Sequence, residues 1–160
     1  MKIQLKLILL SISLKGSLAF GQVNFNFNSF NDALSASRQT GKLIFLQFES
    51  VSCNHCNEVA DKAFQDTKLG EMINAGLIPL KISANHPDRK EIERKYDKNE
   101  RTFGTLFISS DGTLIHTYEK TSSWAKNYEE EINKAMNKAG EGLRISNFQT
   151  LYKAGNRNLA

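Results

Sequence analysis

Apolar residues along the chain gather in short dense runs separated by stretches of helical period. Lys42–Phe48 and Leu77–Ile82 are nearly continuous apolar runs, the pattern of strands buried on both faces. Pro79 interrupts the second run, so that strand belongs where one backbone N–H is not needed. Thr102–Ser109 and Thr113–Glu119 are two further strands, and Asp111-Gly112 between them is a strong hairpin signal. The intervening segments repeat every three to four residues. Ser29–Thr40 predicts a helix with Phe30, Ala33, Leu34 and Ser37 on one face and Gly41 closing it. Cys53–Phe64 continues helically through Val59, Ala60, Ala63 and Phe64, and Asp66 caps a second piece, Thr67–Asn74. Arg89–Lys98 is a charged helix with Ile92 and Tyr96 turned inward. Ser122 and Ser123 are expected to cap a last helix, with Trp124, Tyr128, Ile132 and Met136 as its packing stripe. Glu130 pairs with Lys134 along that helix, and Gly140 ends it. Phe25 and Phe27, alternating with asparagines, form an edge strand or an extended arm. The order is that of an α/β fold, a central mixed β-sheet flanked by helices on both faces.

The first 21 residues are expected to lie outside that fold. Lys2 and Lys6, the short apolar run Leu7–Leu14, and the small residues of Ala19-Phe20-Gly21 have the layout of a secretory signal peptide. The apolar run falls short of the roughly 20 residues a bilayer span needs. No cysteine lies near the cleavage point, which argues against a lipid anchor. The mature chain then starts near Gln22, periplasmic or secreted, with no stable membrane insertion. Lys2, Lys6 and Lys15 leave with the leader, so the net charge falls from +4 to 18 basic residues against 17 acidic, or +1. That balance supports no nucleic-acid partner. A domain over residues 22–141 is long enough to bury its own core.

Both cysteines of the protein, Cys53 and Cys56, stand two residues apart at the start of a helix that follows a buried strand. Free N–H groups and the helix dipole stabilise a thiolate there. A structural bridge is the competing reading, because disulfides persist outside the cytoplasm. A loop of four residues, however, yields only about 2 kcal/mol of chain-entropy stabilisation, against about 3 for fifteen residues. A sole pair serving stability would be better placed far apart. A metal site is disfavoured because closed zinc sites take four ligands and the chain has no second CxxC and no HxxxH.

Gly41-Lys42 before the strand, Cys53-x-x-Cys56, Phe64-x-Asp66, Ile78-Pro79-Leu80-Lys81-Ile82 and Gly104-Thr105-Leu106-Phe107-Ile108 with Asp111-Gly112 together resemble the thioredoxin superfamily. More narrowly, they resemble its exported bacterial thioredoxin-like (CxxC) members, over about Ser29–Lys138. The resemblance implies a thioredoxin-like fold and a thiol–disulfide oxidoreductase without bound cofactor or metal, its redox-active group being a Cys53–Cys56 disulfide. Its partners would be protein thiols or disulfides and an unidentified redox partner. Cys53 would be the nucleophile and Cys56 the resolving thiol. Asn54 and His55 would tune the pair, a protonated His55 stabilising the Cys53 thiolate. His86 and His116 are read as structural or solvated.

Three departures stand against that pattern. Ser52 occupies the usual tryptophan position. The buried acid of relatives falls at Gln47, whose amide takes no proton, while Glu49 points to the same side of the strand. The cis-proline position falls at Gly104, just before Thr105. A non-proline cis bond costs about 2.5–4 kcal/mol, so the Phe103–Gly104 peptide is expected to be trans. Glycine there permits close approach of a substrate backbone. Gln47 and Gly104 define the alternative, a catalytically weakened thioredoxin-fold binding module with a structural or vestigial disulfide. Residues 142–160, with Ile145, Phe148, Leu151 and Tyr152 at helical spacing, are expected to form a helical tail that either docks back on the domain or starts a truncated extension.

Overall fold

The computed structural model describes residues 21–96, 98 and 103–156, with residues 141–156 as backbone only. The expected leader, apart from Gly21, lies outside the described residues, as do Thr102 and the last four residues of the tail. The elements in order are α1 (Phe30–Thr40), β1 (Ile44–Phe48), α2 (Asn54–Phe64), α3 (Thr67–Gly76), β2 (Ile78–Ile82), α4 (Arg89–Lys95), β3 (Gly104–Ile108), β4 (Leu114–Tyr118) and α5 (Ala125–Asn156). The sheet runs β2-β1-β3-β4, with β1 parallel to β2 and antiparallel to β3, and β3 antiparallel to β4.

Strand β1 lies in the middle and is buried along its whole length. Its alternating side chains divide the core. Phe45 enters one cluster with Phe64, Phe107, Tyr128 and Ile132, beneath α2, α3 and α5. Ile44, Leu46 and Phe48 enter the other with Leu34, Ile92 and Tyr96, beneath α1 and α4. Gln47 and Glu49 share the parity of Phe45, so they face the α2 side. The parallel β1–β2 pair requires a crossover, and α2 and α3 supply it. Ile78 N–H donates to the Leu43 carbonyl at 2.9 Å, so by alternation the nitrogen of Pro79 faces the outer edge. There the arm touches down: Phe27 bridges Leu80, and Phe25 packs 5.4 Å from the Phe64 ring.

The end signals hold where a side chain or a glycine fixes them. The Ser29 hydroxyl accepts from Asp32 N–H at 3.1 Å, Asp66 caps α3 through Leu69 N–H at 2.9 Å, and Gly41 closes α1 at φ +72°. Four expectations fail. Helix α4 ends at Lys95 rather than Lys98, where the Tyr96 hydroxyl is anchored to the Gly112 carbonyl at 3.0 Å. Helix α5 continues through Gly140. A helix-ending glycine works by adopting positive φ, which Gly140 does not, and good helix formers flank it. Trp124 precedes α5 and is 74% exposed, and Met136 is 48% exposed. The buried stripe is Tyr128, Ile132 and Ala135, because a step of seven residues returns closer to the same face than a step of eight. Lastly, Lys134 pairs with Glu131 at 2.7 Å rather than with Glu130. The Ser122 hydroxyl accepts from Trp124 N–H at 3.0 Å, which fixes the turn into α5.

Candidate active site

The loop leaving β1 delivers Cys53 to the N-cap of α2. Its sulfur accepts the Cys56 N–H at 3.2 Å, and its carbonyl accepts the same N–H at 3.0 Å. The sulfur thus occupies the place a serine or aspartate oxygen takes in an ordinary cap, facing N–H groups that lack helical partners. Cys53 and Cys56 are joined as a disulfide with Cα atoms 5.3 Å apart, and both residues are half-buried. Asn54 and His55 between them are exposed. The His55 side chain is 81% exposed, and its Nδ1 lies 4.0 Å from Glu58.

Three residues that sequence reading passed over hold this turn. Asn57 grips the loop in both directions: its Oδ1 accepts from Ser50 N–H at 2.7 Å and its Nδ2 donates to the Ser50 carbonyl at 3.0 Å. Thr121, in the β4–α5 connection, donates from its hydroxyl to the Cys56 carbonyl at 2.9 Å. Buried Arg89 of α4 donates from Nη1 to the carbonyls of Glu49 (3.0 Å) and Ser83 (3.3 Å), with its guanidinium 4.7 Å above the Phe48 ring. An asparagine four residues after the first cysteine was the one visible signal. The other two act on backbone carbonyls, which leave no pattern in a sequence.

The positions of departure are now explicit. Gln47 is 4% exposed, its Oε1 accepts from the Thr105 hydroxyl at 2.8 Å, and its Nε2 donates to the Phe48 carbonyl at 3.3 Å. Gln47 and Thr105 are directly opposite in the β1–β3 register, so this closed polar pair replaces an acid in the sheet. Glu49 instead forms an ion pair with Lys81 at 2.9 Å, and Lys81 also binds Asp61 of α2 at 2.8 Å. Burial pushes the Lys81 ammonium toward lower pKa, but the hydrogen bonds to Asp61 and Glu49 outweigh it and the net shift is upward.

Gly104 has φ +109°, and its peptide bond to Phe103 is trans. A Cβ there would lie 2.1 Å from the Tyr118 carbonyl oxygen. The backbone that approaches Gly104 is therefore that of β4. His86 caps the turn before α4 by accepting Asp88 N–H at 3.1 Å. His116 stacks on Phe107 and meets Glu131 at 2.5 Å. Among the described residues, no group of three or more His, Cys, Asp or Glu is placed to hold a metal ion, and no helix is long and apolar enough to cross a membrane.

A family model described as "Thioredox_DsbH: Protein of unknown function, DUF255" matches residues 22–134. Among solved structures, the chain is similar to a DsbH oxidoreductase at 20% identity, over 73% of this chain and 88% of that one, with a TM-score of 0.59. A thioredoxin from Thermus thermophilus is similar at 18% identity, over 69% and 86%, with a TM-score of 0.57. A Bacteroides thetaiotaomicron protein solved in solution is similar at 20% identity, over 73% and 95%, with a TM-score of 0.59. At these identities the likeness shows the fold, a thioredoxin-like one. No curated protein matches the chain.

Proposed function

The chain belongs to the DUF255 (Thioredox_DsbH) family and has a thioredoxin-like fold, and from that premise we propose that it is a thiol–disulfide oxidoreductase acting on protein cysteines in the cell envelope. The observation that carries the reading is the Cys53 sulfur at the N-cap of α2, half-buried and bonded to Cys56 N–H. Reduced, that sulfur is a thiolate with its stabilising dipoles already in place.

In the reducing direction, the Cys53 thiolate attacks one sulfur of a substrate disulfide. A mixed disulfide forms, and the other substrate sulfur leaves as thiolate. Cys56, deprotonated, then attacks Cys53 Sγ, closing the internal disulfide and releasing the second substrate thiol. Two electrons pass from the cysteine pair to the substrate. In the oxidising direction each step runs backwards. His55, exposed at the start of α2 between the two cysteines, is the side chain we assign to tuning the pair. Gln47 takes no proton, so we assign the proton of Cys56 to Glu49, the carboxylate on the same side of β1. Glu49→Gln is expected to slow resolution of the mixed disulfide with little effect on its formation, as read by stopped-flow kinetics.

A second reading, a binding module with a vestigial disulfide, has one observation in its favour: the sealed Gln47–Thr105 pair where an acid would be expected. Trapping separates the two. A Cys56→Ser variant of the oxidoreductase accumulates mixed disulfides through Cys53 in the cell envelope. A folded variant that traps nothing would favour the binding module. The equilibrium reduction potential then gives the direction of electron flow, near about −270 mV for a reductant and near about −120 mV for an oxidant.

A further inference from the structure

We propose that Gln22 becomes the first residue of the mature chain and is closed there to pyroglutamate. The proposal rests on the export reading of residues 1–21 and goes beyond it. Gln22 engages the domain through hydrogen bonds. Its carbonyl accepts from Asn74 Nδ2 at 2.9 Å, and the Asn74 Oδ1 in turn accepts Asn24 N–H at 2.9 Å. Next to it, buried Val23 donates its N–H to the Phe64 carbonyl at 2.9 Å. The match to the family model also begins at residue 22.

The seat under Gln22 is backbone on backbone. A Cβ on Gly70 of α3 would lie 2.8 Å from the Gln22 carbonyl carbon, 3.0 Å from its Cα and 3.1 Å from its nitrogen. Cleavage after Gly21 would therefore leave the new terminal nitrogen against the flank of a helix, where an ammonium loses part of its hydration. The Gln22 side chain is exposed and free to turn on its own backbone. The terminal amine attacks the side-chain amide carbon, a bond forms from N to Cδ, the bond from Cδ to Nε2 breaks, and ammonia leaves with the proton. No oxidant, reductant or co-reactant takes part. The product is a neutral lactam whose ring nitrogen is an amide, like the peptide nitrogen the seat accommodates. All contacts of the arm beyond Cα are retained, and the terminus no longer offers an amine to aminopeptidases.

The test is intact-mass and N-terminal-peptide mass spectrometry of the full chain produced in an exporting bacterium and recovered from outside the cytoplasm, with Gln22→Ser beside it. The expected result is a wild-type chain starting at residue 22, lighter than its sequence mass by one ammonia and closed to stepwise N-terminal degradation. The Gln22→Ser chain should show a free amine. A wild-type chain that starts at residue 22 and reads Gln-Val-Asn-Phe by stepwise degradation would overturn the cyclisation and leave the export reading intact. A chain starting elsewhere, or retaining the leader, would overturn both.

Discussion

The chemistry of this protein is set by the environment of single atoms. The proposed role of Cys53 rests on its sulfur capping a helix, and if it holds, alkylation of the reduced protein against pH should give an inflection below the roughly 8.5 of a free thiol. Titration at the free-thiol value would remove the basis for a nucleophile. Gly104 is fixed by a different physics. At φ +109°, and with a carbonyl oxygen 2.1 Å from where a Cβ would stand, Gly104→Ala is both strained and overpacked. It is expected to lower unfolding free energy by about 3 kcal/mol or more in denaturant titration. A near-neutral result would mean that β4 can move away. The sequence marked Gly104 as a place of close backbone approach, but it could not tell which backbone, since that depends on the strand brought alongside. Gln47 was legible as a departure, and its partner Thr105 was legible only as a neighbour of Gly104. Thr105→Val should cost about 1–3 kcal/mol, because it leaves the buried amide oxygen of Gln47 unsatisfied.

Elements were readable to the extent that one local cause determines them. The run Leu43–Phe48 is apolar but for Gln47 because β1 is covered on both faces, and Asp66 and Ser29 announce helix starts because their oxygens bond N–H groups three residues on. Where two causes compete, the pattern misleads. Trp124 and Met136 have the spacing of a packing stripe, but the turn fixed by Ser122 starts α5 after Trp124, and the buried face then falls on Ala135. Gly140 looks like a stop, yet a glycine stops a helix only when the chain beyond it turns away. The β1–α2 loop is the least legible element, because its order comes from side chains bonded to its backbone. Asn57 provides two of those bonds. Asn57→Ala should lower unfolding free energy by about 1–3 kcal/mol and also move the reduction potential of the cysteine pair. A stability loss with an unchanged potential would show that the loop is held for the fold alone.

At the scale of the whole molecule, charge pairs fasten the outer elements to the sheet and give stability two pH limits. On the β4–α5 side, burial pushes the Glu131 carboxyl up. Hydrogen bonds from Lys134 and His116 prevail over that and hold it below the usual carboxylate range. A lowered carboxylate stabilises the fold above its unfolded value of about 4.3, and that stability is lost as pH falls through the folded value. On the β1–β2–α2 side the Lys81 ammonium is raised, so its contribution is complete below about 10.4 and is lost as pH rises through the folded value. The two limits belong to different pairs of elements, which makes them separable. Glu131→Gln should flatten the acid limb of stability against pH while leaving the alkaline limb in place. It should also leave the alkylation profile of Cys53 unchanged, since no contact of Glu131 reaches α2 among the described residues. A shift of the thiol profile in that variant would mean that the β4–α5 connection, through the Thr121–Cys56 hydrogen bond, transmits the charge state of α5 to the turn that carries the cysteines.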